Sequence, residues 1–110
     1  MELNFKTQNK ILVAQICGEL DQHYAKSIRE AIDQNLGKGF SHLAFDFSRL
    51  DFMDSAGIGV IIGRYKNVTA TGGKVAVCGA NPQVDRILKI SGIPKIIPCF
   101  DSVDAAVKSL

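Results

Sequence analysis

The sequence has no basic cluster, no aromatic ladder between basic residues and no zinc-finger spacing. Its net charge of +2 is too small to argue for nucleic acid by itself. No apolar run approaches the roughly 20 residues needed to cross a bilayer. The opening residues, Met1-Glu2-Leu3-Asn4-Phe5-Lys6, lack the continuous apolar stretch, ending in small residues, that marks a signal peptide. Cysteine is sparse: Cys17, Cys78 and Cys99 are odd in number, widely spaced and set in apolar runs. That pattern predicts reduced core residues rather than a disulfide frame or a metal site. Together these absences point to a soluble cytoplasmic protein with no direct nucleic-acid or membrane partner and no bound metal.

What is present suits a core. Hydrophobic residues make up 46% of 110 residues, a length that accommodates one domain, 1–110. Leu3 and Phe5 alternate with Asn4 and Lys6, the pattern of a strand with one wet face. Gln8-Asn9-Lys10 turns the chain into Ile11–Cys17, a nearly continuous apolar run and so a strand covered on both sides. Asp21 is placed to cap a helix in which Ala25, Ile28, Ile32 and Leu36 share a face. Leu43–Phe47 is a third strand, and a second helix is expected from Ser55 to Val68. Gly72-Gly73 leads into a strand over Val75–Cys78. Asn81-Pro82 opens a helix with a cap and a first-turn proline, closed by Gly92. Ile96-Ile97 is expected as a short edge strand before Pro98, and Asp101 or Ser102 caps a final helix. Strand–helix alternation after an opening hairpin calls for right-handed β-α-β crossovers. The expected fold is α/β, a mixed sheet of about five strands with about four helices.

One segment is poorly chosen as ordinary scaffold. Gly57, Gly59 and Gly63 each cost a helix about 1 kcal/mol relative to alanine, and no charged residue lies between Asp54 and Arg64. Ile58, Ile61, Ile62 and Tyr65 form a stripe that can face the sheet. Ala56, Gly59, Val60 and Gly63 form a smooth, uncharged strip opposite, where a surface helix normally carries charge. At its head, Ser55 fits two roles. It can cap the helix through its hydroxyl, or it can accept a phosphate at the positive end of the helix dipole, adding about −1.5 to −2 charges at the rim of the strip.

Competing chemistries are thinner. A loop expected over Ser48–Met53 separates the glycines from the third strand, so they lack the strand-to-turn placement of a dinucleotide fingerprint, and no Asp or Glu occurs between Ser55 and Val84. No Gly-Lys-Ser/Thr completes a P-loop. His23 and His42 fall in different elements, and Ser55 has no Gly-x-Ser-x-Gly elbow. Asp46, Asp51 and Asp54 cluster near a strand end, where a small phosphotransfer or nucleotide-binding enzyme would draw on them. The first strand supplies no further carboxylate there, and no catalytic set is assigned.

The run Phe52-Met53-Asp54-Ser55-Ala56-Gly57-Ile58-Gly59-Val60-Ile61-Ile62-Gly63-Arg64-Tyr65-Lys66 resembles the signature of bacterial anti-sigma factor antagonists, the STAS domain. The fit is closest to members acting on sigma F in endospore formation. Gly18-Glu19-Leu20-Asp21 and Ser91-Gly92-Ile93-Pro94-Lys95-Ile96-Ile97 extend the resemblance along the chain. It implies a partner-switching protein that is not an enzyme and needs no cofactor. Ser55 is the implied phosphorylation site. The implied kinase is an anti-sigma factor with bound ATP or ADP, which the unphosphorylated antagonist engages so that sigma is released. A PP2C-type serine phosphatase would reverse the modification. The implied partner surface comprises Asp21, Asp54, Ser55, Ala56, Gly57, Gly59, Val60 and Gly63. Ala56 departs from the pattern, since sporulation members often carry a second serine there. A general-stress or orphan STAS signalling protein is the alternative within the family.

Overall fold

The computed structural model describes residues 1–110. Strands β1 (Glu2–Gln8) and β2 (Ile11–Leu20) form the expected hairpin, turned by Asn9 at φ 56°. Then follow α1 (Ala25–Leu36), β3 (His42–Asp46), β4 (Leu50–Met53), α2 (Ser55–Ala70), β5 (Val75–Cys78), α3 (Pro82–Ser91), a 3-10 turn (Ile93–Lys95), β6 (Cys99–Phe100) and α4 (Val103–Lys108). The main sheet runs β1-β2-β3-β5-β6, antiparallel at β1–β2 and parallel elsewhere.

The even residues of β2, Leu12, Ala14 and Ile16, face the larger core with Phe45, Phe47 and Val77. Ile28 and Ile32 of α1, Val60 and Ile61 of α2, and Val84 and Leu88 of α3 close that core from one side. Helix α4 covers part of the opposite face, setting Val107 against Ile11, Val13 and Ala44, and Ala106 against Ala76 and Cys78. Double cover explains why β2, β3 and β5 read as continuous apolar runs.

Four expectations are corrected. The stretch Ser48–Met53 was expected as a loop but contains a sixth strand, β4, parallel to the end of β2 and offset by an irregularity at Gly18/Glu19. Four residues with buried ends and an exposed middle give no period-2 signal. Ile96-Ile97 is not a strand: the chain leaves the 3-10 turn with Ile97 buried and Ile96 exposed, and pairing begins at Cys99. Cys17 and Cys78 are buried, but Cys99 is exposed on this edge strand. At the helix ends, Asn81 Oδ1 accepts from Val84 N at 2.8 Å, the cap the sequence predicts, and Ser102 Oγ accepts from Ala105 N at 3.1 Å, which decides between Asp101 and Ser102. Asp21 does not cap α1, whose N-cap is Tyr24 without a side-chain bond. It instead holds the preceding turn, accepting from His23 N at 3.0 Å and Tyr24 N at 3.2 Å.

Candidate functional site

Pairing of β2 with β4 places Leu20 beside Met53, so the two strands end together. The loop after β2 carries Asp21, and the turn after β4 carries Asp54 and Ser55. Functional loops at the carboxyl ends of parallel strands are where α/β sheets bind partners.

Asp54, not Ser55, caps α2. Its backbone is extended, and Asp54 Oδ1 accepts from Ala56 N at 2.9 Å and Gly57 N at 3.3 Å. Asp54 Oδ2 accepts from Gln22 N at 3.1 Å, across to the other loop. A carboxylate also suits the positive end of the helix. Ser55 is thereby released from capping: it is the first helical residue, exposed, and its hydroxyl makes no hydrogen bond within the chain.

Helix α2 is rotated by about one residue from the orientation the sequence suggested. Gly57, Val60, Ile61, Arg64 and Val68 are its buried residues, while Ile58, Ile62 and Tyr65 are only partly covered. Val60, expected on the open strip, is 3% exposed and packs in the core, because the helix must bring Gly57 down onto the end of β2. A Cβ at Gly57 would lie 2.5 Å from Leu20 O and 2.7 Å from Met53 Cγ. Gly59 and Gly63 are the reverse case, with nothing within 4 Å of a Cβ. Ala56 is partly covered. The open strip therefore comprises Ser55, Ile58, Gly59, Ile62 and Gly63, and Gly57 and Val60 support it from below.

Arg64, expected to end the uncharged segment, is buried. Its Nε lies 2.9 Å from Asp33 Oδ1 on α1, an ion contact without hydrogen-bond alignment, and Nη1 has no partner. Burial lowers the guanidinium pKa from its ordinary value; Asp33 opposes that shift and Arg29 adds to it. The uncharged character of α2 thus continues to Lys66 on the surface.

Two clefts flank the Asp54–Ser55 turn. One is polar, lined by Asp21, Gln22, His23, Phe52 and Asp54. The other is an apolar groove of about 320 Å³ between α2 and α3, including Ser55, Ile58, Ile87 and Ile90. Phe52 at 40% and Ile90 at 80% are among the few large hydrophobic side chains left exposed, and both border this turn. Sequence reasoning missed Gln22, Phe52, Ile87 and Ile90 as site residues. Ile90 carried a signal: it is an isoleucine off the Val84, Ile87, Leu88, Ser91 stripe of α3.

Two of the three acids proposed for an enzyme are occupied structurally. Asp46 is 5% exposed, accepting from Gln15 Nε2 at 3.1 Å and Ser48 N at 3.0 Å. Both Asp54 oxygens are used at the cap and at Gln22, and Asp51 is exposed on β4. His42 Nδ1 accepts from Lys74 N at 3.0 Å, and His23 lies edge-on to Tyr24. No group of three or more His, Cys, Asp or Glu side chains is placed to hold a metal ion. No helix is long and apolar enough to cross a membrane.

The sequence profile described as the STAS domain matches residues 2–106. An anti-sigma F factor antagonist from Paenibacillus polymyxa is 36% identical over 111 aligned residues, spanning 100% of this chain and 95% of that protein. The anti-sigma factor antagonist SpoIIAA in its unphosphorylated form superposes with a TM-score of 0.85 at 25% identity, covering 98% of this chain and 95% of the other. The Bacillus cell fate determinant SpoIIAA in the phosphorylated form superposes with a TM-score of 0.77 at 24% identity, over 98% of each chain. This last likeness is one of fold.

Proposed function

The chain belongs to the STAS-domain family, and from that premise we propose that it is an anti-sigma factor antagonist switched by phosphorylation at Ser55. In its unphosphorylated form it binds an anti-sigma factor serine kinase carrying ATP or ADP, and the sigma factor is released. Phosphorylation at Ser55 ends that binding, and a PP2C-type phosphatase restores it. The chain works in the cytoplasm as one domain, without catalysis of its own.

The observation that carries this reading is the placement of Ser55. Its hydroxyl is exposed, relieved of capping by Asp54, and sits on the lip of the apolar groove formed with Ile58, Ile87 and Ile90. Apolar surface bordered by polar groups is suited to protein docking. A neutral serine is compatible with such a face; a near-dianion beside it is costly to desolvate. One added group therefore alters the contact without a new fold. The docking face comprises Asp21 and Phe52 on one side, Ser55 in the middle, and Gly59, Gly63, Ile58, Ile87 and Ile90 on the other. Ala56 lies at its edge, while Asp54, Gly57 and Val60 act from beneath.

The test is mass mapping of the chain after incubation with the cognate anti-sigma kinase and ATP. Label at Ser55 alone is expected, with Ser55→Ala unlabelled but still bound by the kinase. Label at Ser27, Ser48 or Ser102 in place of Ser55 would overturn the proposal, as would turnover or self-labelling with ATP and divalent metal in the absence of a kinase.

A further inference from the structure

The two loops of the docking face come from different strands, and one carboxylate joins them. Asp54 Oδ1 serves the first turn of α2 through Ala56 N and Gly57 N, while Asp54 Oδ2 receives Gln22 N at 3.1 Å. The loop's other bonds are its own: Asp21 Oδ1 holds His23 N and Tyr24 N, and Asp21 O accepts from Ala25 N at 2.8 Å. Gln22 N is thus the point at which Asp54 holds the turn against α2. Asp54 also forms no ion pair; the three in the chain involve Glu19, Asp33 and Asp85.

We propose that Asp54 is a positioning residue that keeps the Asp21–Tyr24 loop in register with Ser55, and that a phosphate on Ser55 unfastens this tether. The proposal rests on the reading of Ser55 as the phosphoacceptor. A phosphate on the adjacent residue brings about −1.5 to −2 charges next to a carboxylate with no counter-ion. Its oxygens seek the same donors at the start of α2, and those at Ala56 and Gly57 are already taken by Asp54. The more highly charged group prevails in that competition. Asp54 turns away, and Oδ2 leaves Gln22 N. The Asp21 turn persists through its own bonds, and the strand end before it keeps the backbone bond from Asp54 N to Leu20 O at 3.4 Å, but the turn itself loses its side-chain tether to the start of α2. Phosphorylation then disrupts the face twice, by charge at Ser55 and by releasing the loop beside it, while the sheet and core are untouched.

The experiment uses the full chain with phosphoserine installed at position 55 during synthesis, so no kinase is needed. Amide hydrogen exchange is followed by NMR. Exchange at Gln22 N is expected to accelerate by roughly tenfold, the scale of losing one hydrogen bond to a charged group, with His23 and Tyr24 nearly unchanged. Asp54→Asn without phosphate separates the tether from the cap. Asparagine is as good an N-cap as aspartate, so its Oδ1 stays on α2, while its Nδ2 turns a donor toward the Gln22 donor. The same acceleration at Gln22 is expected with a nearly unchanged melting temperature, and phosphoserine in that background should add little. An unchanged Gln22 amide in the phosphorylated chain, or in Asp54→Asn, overturns the tether. Neither result bears on whether a kinase labels Ser55, so failure here is distinct from failure of the antagonist reading.

Discussion

Replacing Gly57, Gly59 and Gly63 one at a time with alanine applies one chemical change at three positions of a single helix, and the structure assigns the outcomes opposite signs. At Gly59 and Gly63 a Cβ meets nothing within 4 Å, so only helix propensity changes, a gain of about 1 kcal/mol each. For 110 residues, an unfolding entropy of about 2.1 cal/mol/K per residue converts that gain to a rise of about 4 °C in melting temperature. At Gly57 the new Cβ would sit 2.5 Å from Leu20 O, with Met53 Cγ at 2.7 Å and Leu20 Cγ at 2.9 Å. One of these is a backbone oxygen at the end of β2 and cannot swing aside as a flexible side chain can. Overpacking of this kind costs about 1–3 kcal/mol, and pushing α2 outward also strains the Asp54 bonds to Ala56 and Gly57. With three contacts under 3 Å, one of them to backbone, the clash falls at the upper end of that range and outweighs the propensity gain, for a net loss of up to about 2 kcal/mol. Urea unfolding monitored by circular dichroism, with calorimetric melting as a second probe, measures all three. A Gly57→Ala chain as stable as its parent refutes the close packing of α2 on β2. A destabilised Gly59→Ala chain refutes the claim that this face of α2 is open.

Two further predictions concern the groove and the sheet. Ile90→Glu, at a side chain 80% exposed, should leave the melting temperature within about 1–2 °C of the parent yet weaken kinase binding by about tenfold or more in calorimetric titration; unchanged affinity would remove α3 from the docking face. The buried Cys78 thiol has its pKa raised to about 12, first by desolvation and then by Asp46, so the folded chain stays protonated where the unfolded chain ionises. Because the folded value is the higher one, its contribution to stability is complete below about pH 9 and is lost as pH rises toward 12. Urea midpoints of the parent and Cys78→Ala should therefore converge or cross as pH rises above 9, and a constant gap would contradict the burial of this thiol.

The fold was legible wherever apolar periodicity ran long enough to repeat. Strand β2, helices α1 and α3, and the cap at Asn81 follow from side-chain spacing and cap chemistry alone, and the cap of α4 was narrowed to Asp101 or Ser102. What escaped was set by tertiary pairing. Strand β4 has four residues with no alternation, and it exists because the end of β2 has passed the end of β3 and needs a neighbour. The orientation of α2 was misread for a related reason. Its glycines and branched residues fit two neighbouring faces almost equally, and the choice between them is made by Leu20 O, which only Gly57 can approach. Val60 then moves inward and Ile58 outward. Ser55 itself was legible as a helix-entry serine, but not as one freed from capping, since Asp54 and Ser55 are equally good caps by composition. The structure separates them through Gln22 N, a donor that one-dimensional reasoning cannot place.

That separation bears on how the proposed switch works. Were Ser55 the cap, its phosphate would take over an existing role and add charge where free N–H groups wait for it, which favours the helix. With Asp54 as the cap, the same phosphate meets a carboxylate already seated there, and the modification becomes locally costly. The cost falls on the turn that links α2 to the Asp21 loop, far from the Phe45 and Phe47 core and from the Arg64–Asp33 contact. A modification whose penalty is confined to the proposed docking face can change partner affinity while leaving the rest of the molecule folded. The glycines make the same division along α2: Gly57 fixes the helix to the sheet, and Gly59 and Gly63 leave open the outer side that the proposal gives to a partner.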